Sequence, residues 1–169
     1  MQVMRLLRHV MASHWRTRLR FPASTLDAIE AAVRRAERTH AAEIRFAVET
    51  ALAPLGVISE VTPRAHALCV FAALRVWDTE HNNGVLIYVQ LADRSVEIIA
   101  DRGLKDRVSA AEWEGVCRLM EAHFREGRFE AGSIAGVDAV GTLLSRHFPY
   151  TGEPRLELQN QLPDRPTLL

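Results

Sequence analysis

Residues 84–91 read GVLIYVQL, a run in which Gln90 is the one strongly polar side chain. A short apolar run without a polar face is typical of a central β-strand that is covered on both sides. The next residues, ADRS, are too few for anything but a tight turn, and VEIIA at 96–100 predicts another strand. We therefore expect an antiparallel hairpin at the centre of the fold.

The rest of the chain alternates between helical and strand patterns. EIRFAVE at 43–49 alternates charged and apolar side chains, which predicts a half-buried strand with Glu43, Arg45 and Glu49 on its solvent side. If this strand neighbours the central one, Glu43 and Arg45 could instead approach the candidate site. Helices are predicted within residues 21–40, from about Thr62 to Trp77, after the capping box at Ser109, and up to about His147. The order α-β-α-β-β-α-α, with a right-handed parallel crossover from 43 to 91, indicates an α/β fold with a small mixed sheet.

The basic residues are distributed unevenly. The chain has 169 residues and a net charge of zero, but five of its 21 basic residues lie at positions 1–20, where there is no acidic residue; the remainder therefore carries a net charge of −5. We expect a basic N-terminal arm (1–22), one α/β domain (23–149) and an extended C-terminal tail (150–169) lying over the surface. The arm could pack on the acidic body, or it could contact a membrane surface or a protein partner.

Composition excludes several other classes of protein. A zero net charge gives no reason to expect nucleic-acid binding. The apolar runs are too short for a signal peptide or for the roughly 20 residues of a transmembrane helix, so we expect a cytoplasmic protein. The oligomeric state stays open.

The two cysteines, Cys69 and Cys117, fall on apolar faces of predicted helices, and we expect buried, reduced thiols. Cys69 and Arg75 have the spacing of a cysteine-dependent phosphatase loop. The five residues between them are apolar helix formers, however, and cannot form the anion-binding turn that such a loop needs. The match is accidental.

Polar side chains gather on either side of the predicted hairpin, in a first loop (78–83) and a second loop (101–106). The start of one hairpin strand lies beside the end of the other, so we expect the two loops to be neighbours. Oxygen-bearing side chains suit a hard cation, Ca²⁺ or Mg²⁺. The candidate metal ligands are Asp78, Glu80, Asn82, Asp101 and Asp106, and the further ligand-binding candidates are Asn83 and Arg102.

Two other interpretations of these loops are open. Arg102, Lys105 and Arg107 could favour an anionic ligand instead of a cation. Alternatively, the polar residues could serve turn geometry alone, with Asn82, Asn83 and Gly84 supplying positive φ angles.

The segment FAALRVWDTEHNNGVLIYVQLADRSVEIIADRGL, followed by W…F…G.FE.G and HFP, resembles the TPM domain family. Residues 82–86 match the family's Asp-Asn-Gly-Val-Leu, Arg94 matches its turn arginine, and 103–104 match the end of its Gly-x-Gly-Leu. The resemblance extends from about Leu26 to Pro149 and is greatest to the short, soluble bacterial branch. Two departures imply a rearranged ligand set: Asn82 replaces an aspartate and Asp101 replaces a glycine.

The resemblance implies a three-layer α/β/α sandwich, in agreement with the order of elements. It also implies divalent-metal binding, with acid-phosphatase activity in some members and photosystem repair in plant members. We therefore expect a soluble module that binds a divalent cation or an anionic ligand and acts in protein maintenance. The alternatives are a metal-dependent phosphomonoesterase that uses the same loops, for which no nucleophile or general base is identifiable, and a structural domain without a ligand.

Overall fold

The computed structural model describes residues 2–12, 14–53, 56–57, 59–149 and 160–169. Two parts of the sequence prediction, the stretch around Pro54 and residues 150–159 of the tail, lie outside or partly outside these ranges. The described elements are α1 (Gln2–Met11), α2 (His14–Arg20), α3 (Ala23–Ala36), β1 (Glu43–Glu49), α4 (Pro63–Ala73), β2 (Gly84–Gln90), β3 (Ser95–Ala100), a 3₁₀ turn (Arg102–Leu104), α5 (Ala110–Arg125), α6 (Phe129–His147) and β4 (Thr167–Leu168).

The strands form a mixed sheet in the order β3-β2-β1-β4. β1 pairs with β2 in parallel, from Glu43 opposite Gly84 to Glu49 opposite Gln90. β2 pairs with β3 in an antiparallel hairpin. The α/β fold, the parallel crossover and the hairpin are confirmed.

Two hydrophobic clusters lie on opposite faces of this sheet. Alternate residues of β1 and β2, such as Phe46 and Ile87, pack against α3, α5 and α6 in the larger cluster. The residues between them, such as Ala47 and Tyr88, pack against α4 in the smaller one. The arrangement is the expected three-layer α/β/α sandwich. Among the described helices, none combines the length and the apolar character needed to cross a lipid bilayer.

The central strand β2 is buried along its whole length, as predicted. Its first residue, Gly84, lies so close to the preceding loop that a Cβ atom there would be 2.0 Å from the carbonyl oxygen of Val76. The glycine at the start of the run is therefore required by close backbone approach, not by a positive φ angle.

The prediction that Glu43 and Arg45 face solvent is wrong, because they are only 1% and 8% exposed. The C-terminal residues 160–169 cover that side of β1. Glu43 accepts hydrogen bonds from the N–H groups of Gln161 and Leu162, at 3.3 Å each. Arg45 Nη1 donates to the carbonyl oxygens of Pro163 and Arg165, at 2.5 and 2.6 Å. Both charges are buried with partners, as buried charges must be.

The last ten residues of the predicted tail differ from the expectation of a segment over the surface. Thr167 and Leu168 form β4, which pairs in parallel with Ala47 and Val48 of β1. Leu162 belongs to the smaller hydrophobic cluster. Residues 160–169 are thus an integral part of the α/β unit.

The basic arm forms two helices, α1 and α2, and packs on the body of the protein. Arg5 donates to both carboxylate oxygens of Asp93, at 3.0 Å from Nε and 2.7 Å from Nη2. His9 Nδ1 accepts the N–H of Leu52 at 2.9 Å, and its Nε2 lies 3.0 Å from Asp93 Oδ1. This geometry corresponds to the first of the two interpretations of the arm, in which it packs on acidic groups.

The predicted burial of the cysteines is wrong for Cys69, which is exposed, while Cys117 is half-buried. Burial raises the pKa of Cys117 to about 11. The helix predicted from about Thr62 to Trp77 ends earlier than expected, because α4 stops at Ala73. Trp77 lies beyond it and is exposed.

We expect Gly84→Ala to lower the free energy of unfolding by about 1–3 kcal/mol or more, because the new Cβ collides with the Val76 carbonyl. Gly115→Ala is the matched control. A Cβ at Gly115 in α5 meets no atom within 4 Å, so alanine should stabilise the helix by about 0.5–1 kcal/mol. Urea denaturation of the two variants measures both values, and equal shifts would contradict the packing described at Gly84.

A second prediction concerns Asp93. Burial alone would raise the pKa of Asp93, but hydrogen bonds from Arg5 and His9 outweigh it and hold the pKa below its usual value. The folded-state pKa is depressed, so this carboxylate stabilises the fold above the unfolded pKa of about 3.9 and ceases to do so as the pH falls through the folded value.

Asp93→Asn should therefore lower stability at pH 7 by about 1–3 kcal/mol and flatten the pH dependence below about pH 4. Asp138→Asn removes an exposed pair with Arg35 (3.4 Å) and should change stability by less than about 0.5 kcal/mol. Thermal unfolding across this pH range tests both. A loss as large in Asp138→Asn as in Asp93→Asn would contradict the anchoring role of Asp93.

Candidate functional site

The first and second loops lie side by side. The N–H of Gly103 donates to the carbonyl oxygen of Asn82 at 2.8 Å, and the N–H of Asp101 donates to that of Gly84 at 2.9 Å. These bonds continue the β2–β3 ladder beyond the strands. The predicted adjacency of the two loops is confirmed, and we call this place the loop junction (residues 78–84 and 101–106).

Asn82 and Arg102 form the principal side-chain contact between the loops. Asn82 Oδ1 accepts hydrogen bonds from Arg102 Nε at 3.0 Å and Nη2 at 2.7 Å. Asn82 also has a φ angle of +52°, whereas Asn83 and Gly84 are not among the residues with positive φ. Of the three residues expected to supply positive φ angles, only Asn82 does so. As a predicted metal ligand, Asn82 already has a cationic partner in Arg102.

Asp101 has one satisfied and one unsatisfied carboxylate oxygen. Oδ1 accepts the N–H of Arg102 at 2.7 Å and so caps the 3₁₀ turn. Oδ2 is buried and accepts no hydrogen bond from any residue that the structure describes. A buried carboxylate oxygen without a donor is costly, so Asp101 is the group at the junction most in need of a ligand.

Asn83 points inward. Its N–H donates to Thr79 Oγ1 at 3.0 Å, and its Nδ2 donates to the carbonyl oxygen of Ala41 at 2.7 Å. Its own carbonyl accepts the N–H of Glu43 at 3.4 Å. Asn83 thus ties the first loop to the start of β1, and its predicted role in ligand binding stays a prediction.

Asp78, Glu80 and Asp106 are exposed at the edges of the junction. Asp78 pairs with Arg75 at 2.5 Å, and Asp106 has a φ angle of +63°. Within the described ranges, no three His, Cys, Asp or Glu side chains converge in a way that could hold a metal ion. The five predicted metal ligands lie in two neighbouring loops, but the described side chains do not form one cage of carboxylates.

The junction nevertheless offers further oxygens besides Asp101. A Cβ atom at Gly103 would lie 2.5 Å from the carbonyl oxygens of both His81 and Asn82. The side-chain oxygens of Asn82 and Asp101 belong to the same two loops. Oxygen atoms of this kind are the ligands that a hard cation prefers, whereas zinc prefers nitrogen and sulfur.

A second polar cluster, not predicted from the sequence, lies near the opposite end of the parallel strands. The hydroxyl of Tyr88 donates to Glu49 Oε2, and His66 Nε2 is 2.9 Å from the same oxygen. Burial, and then the bond to Glu49, raise the pKa of Tyr88, so the phenol stays protonated. The pairing of β1 with β2 was the one signal that could have indicated this contact, since it brings Glu49 and Tyr88 onto neighbouring strands. A tyrosine within an apolar run, however, is equally expected to pack in the hydrophobic core.

We expect Gly103→Ala to separate the two loops, because the added Cβ would overlap the carbonyl oxygens of His81 and Asn82. The free energy of unfolding should fall by about 1–3 kcal/mol. The amide of Gly103 should also lose protection from hydrogen exchange. The neighbouring exposed change Lys105→Ala should alter stability by less than about 0.5 kcal/mol. Retained protection in Gly103→Ala would contradict the close contact.

The comparisons with known proteins agree with the fold. The TPM domain family matches residues 20–143. The NMR structure of the BA42 protein from the psychrophilic bacterium Bizionia argentinensis is 28% identical and superposes with a TM-score of 0.74, covering 87% of this chain and 94% of that one. The solution structure of the N-terminal domain of a P. gingivalis protein has a TM-score of 0.60 at 20% identity, covering 77% and 82%, and shows the fold alone. No curated protein matches. The family match spans most of the sequence and includes both loops, and the chain belongs to the TPM domain family.

Proposed function

We propose that this protein is a non-catalytic binding module that takes a divalent cation at the loop junction and acts in protein maintenance. The observation that carries the cation site is Asp101 Oδ2, which is buried and accepts no hydrogen bond within the described ranges. A cation would supply the opposite charge that this oxygen lacks. The role in protein maintenance rests on the family resemblance.

Arg102 would compete with the cation. Its guanidinium group donates twice to Asn82 Oδ1, one of the oxygens on which a cation could draw. It also adds a positive charge beside Asp101. The site should therefore be weak and prefer Ca²⁺, whose coordination is flexible, to Mg²⁺, which demands near-ideal octahedral geometry.

Phosphomonoester hydrolysis by the same loops is less well supported. It would need a nucleophile or base and a cationic side chain free to hold phosphate. Asp78 is paired with Arg75, and Arg102 is engaged with Asn82. Cation binding at Asp101 requires neither a nucleophile nor a cationic side chain that holds phosphate.

The cation site is tested by titrating Ca²⁺, Mg²⁺ and phosphate while following backbone amide NMR shifts. We expect saturable Ca²⁺ shifts at residues 78–84 and 101–106. Asp101→Asn should weaken Ca²⁺ binding at least about tenfold, since it removes the charge from the unpaired oxygen. Asp106→Asn, which removes the same charge from an exposed position in the same loop, should leave affinity within about threefold.

Arg102→Gln should strengthen Ca²⁺ binding, because it removes both the competing hydrogen bonds and the like charge. Unchanged binding in Asp101→Asn would contradict the proposal. Mg²⁺-dependent hydrolysis of p-nitrophenyl phosphate that disappears in Asp101→Asn would favour the phosphomonoesterase instead. An absence of shifts with every ligand would favour a domain without a ligand.

A further inference from the structure

Helix α1 is held on the body of the protein by few side chains. Among residues 3–11, whose exposure the structure describes, His9 is the one that is buried, at 4% exposed. Arg5 and Leu6 are half-buried, and the other six residues are exposed. A helix of ten residues is marginal in water unless it packs on something. The docking of α1 therefore depends strongly on the contacts of His9.

The two ring nitrogens of His9 have different neighbours. Nδ1 accepts the backbone N–H of Leu52 at 2.9 Å, so this nitrogen carries no proton. The proton of the neutral ring is therefore on Nε2, which lies 3.0 Å from Asp93 Oδ1. The docked position of α1 thus requires a neutral imidazole with one particular tautomer.

A second proton on this ring would have to bind to Nδ1. The N–H of Nδ1 and the N–H of Leu52 would then face each other, and neither could accept from the other. Leu52 is 4% exposed, so its N–H group would be left buried without an acceptor. Such a group costs its full desolvation penalty, and moving α1 away from the body removes that cost.

The charges around His9 do not offset this loss. Asp93 already has Arg5 Nη2 at 2.7 Å and Arg8 Nη2 at 3.8 Å. Glu60 also acts electrostatically on Arg5. The two carboxylates balance the two guanidinium groups while His9 is neutral, so a protonated His9 would add an uncompensated positive charge.

Other ionisable side chains lie at this end of the sheet. Glu49 and His66 pair with each other at 2.9 Å, and Arg94 in the β2–β3 turn is exposed. Burial raises the pKa of Tyr88, so its phenol stays protonated. These groups leave the ring of His9 as the titrating group between α1 and the body.

We infer that the docking of α1 is a pH-sensitive switch, in which α1 is bound to the body while His9 is neutral and is released when His9 takes up a proton. Because docking requires the neutral ring, it weakens as the pH falls through the range in which imidazole titrates, from about pH 8 to about pH 5. The cation site at the loop junction takes no part in this switch.

The other contacts of the arm do not titrate in this range. Burial would raise the pKa of Asp93, but hydrogen bonds from Arg5 and His9 hold it below its usual value, so this carboxylate stays ionised. Helix α2 is attached through the buried hydroxyl groups of Thr17 and Thr50, whose oxygens are 2.8 Å apart. Release is therefore limited to α1, and α2 stays in place.

Hydrogen exchange at the Leu52 amide tests the switch in the full chain, because the acceptor of this amide is the His9 ring. We expect its protection factor to fall about tenfold or more between about pH 7.5 and about pH 5.5, when the buried donor loses its partner. The amides of β2 should keep their protection, which separates release of α1 from global unfolding. Unchanged protection at Leu52, or an equal fall across β2, would overturn the inference.

A matched pair of variants assigns the effect to one histidine. His9→Gln keeps an oxygen that can accept the Leu52 N–H, but the new side chain takes up no proton. Protection of Leu52 should therefore become independent of pH in this variant. His66→Gln removes a histidine near the same end of the sheet and should keep the tenfold fall. An equal fall in His9→Gln and in the unaltered protein would overturn the switch.

The ring of His9 gives a second measurement that does not depend on a variant. Its ¹⁵N shifts should show the proton on Nε2 at about pH 7.5. Protonation of Nδ1 should then coincide with loss of the helical ¹³Cα shifts of residues 3–11. A proton on Nδ1 at about pH 7.5, or helical shifts that persist after the ring is fully protonated, would contradict the proposal.

Discussion

The pairing of β2 with two neighbours is the constraint on which the rest of the structure depends. β2 is hydrogen-bonded in parallel to β1 and antiparallel to β3, and all seven of its residues are buried. The antiparallel pairing joins the first loop to the second at one end of the hairpin. At the other end it presents Asp93, on which the basic arm is anchored through Arg5. The loop junction and the anchoring of the basic arm therefore depend on the same hairpin.

The sequence predicted what depends on local pattern and short connections. The central run, the turn at 92–95 and the adjacency of the two loops follow from residues that are close in sequence. The partners that bury Glu43 and Arg45 could not be predicted, because they are far away in the chain. Arg45 and Arg165, for instance, are 120 positions apart. In isolation, alternating charges are read as the solvent side of a strand.

The adjacency of the two polar loops was predicted, but their side-chain contacts were not, for a similar reason. The two polar loops lie together because of the topology of the β2–β3 hairpin, and the sequence pattern predicts that hairpin. Which oxygen is left without a partner depends on side-chain conformation. Arg102 turns to Asn82, and Arg75 turns to Asp78, which leaves Asp101 Oδ2 without a donor among the residues that the structure describes. Spacing along the sequence holds no information on these choices.

The polar side of β1 has a consequence for folding. The pairing between β1 and β4 joins distant parts of the chain, and contacts of that kind form late because of their loop-closure entropy. Until residues 160–169 arrive, one edge of the sheet has unpaired backbone groups, a known route to aggregation. During that interval Glu43 and Arg45 would keep the edge hydrated and charged. The same two side chains would thus first act as gatekeepers against intermolecular strand pairing and then become the attachment points for the strand that closes the edge.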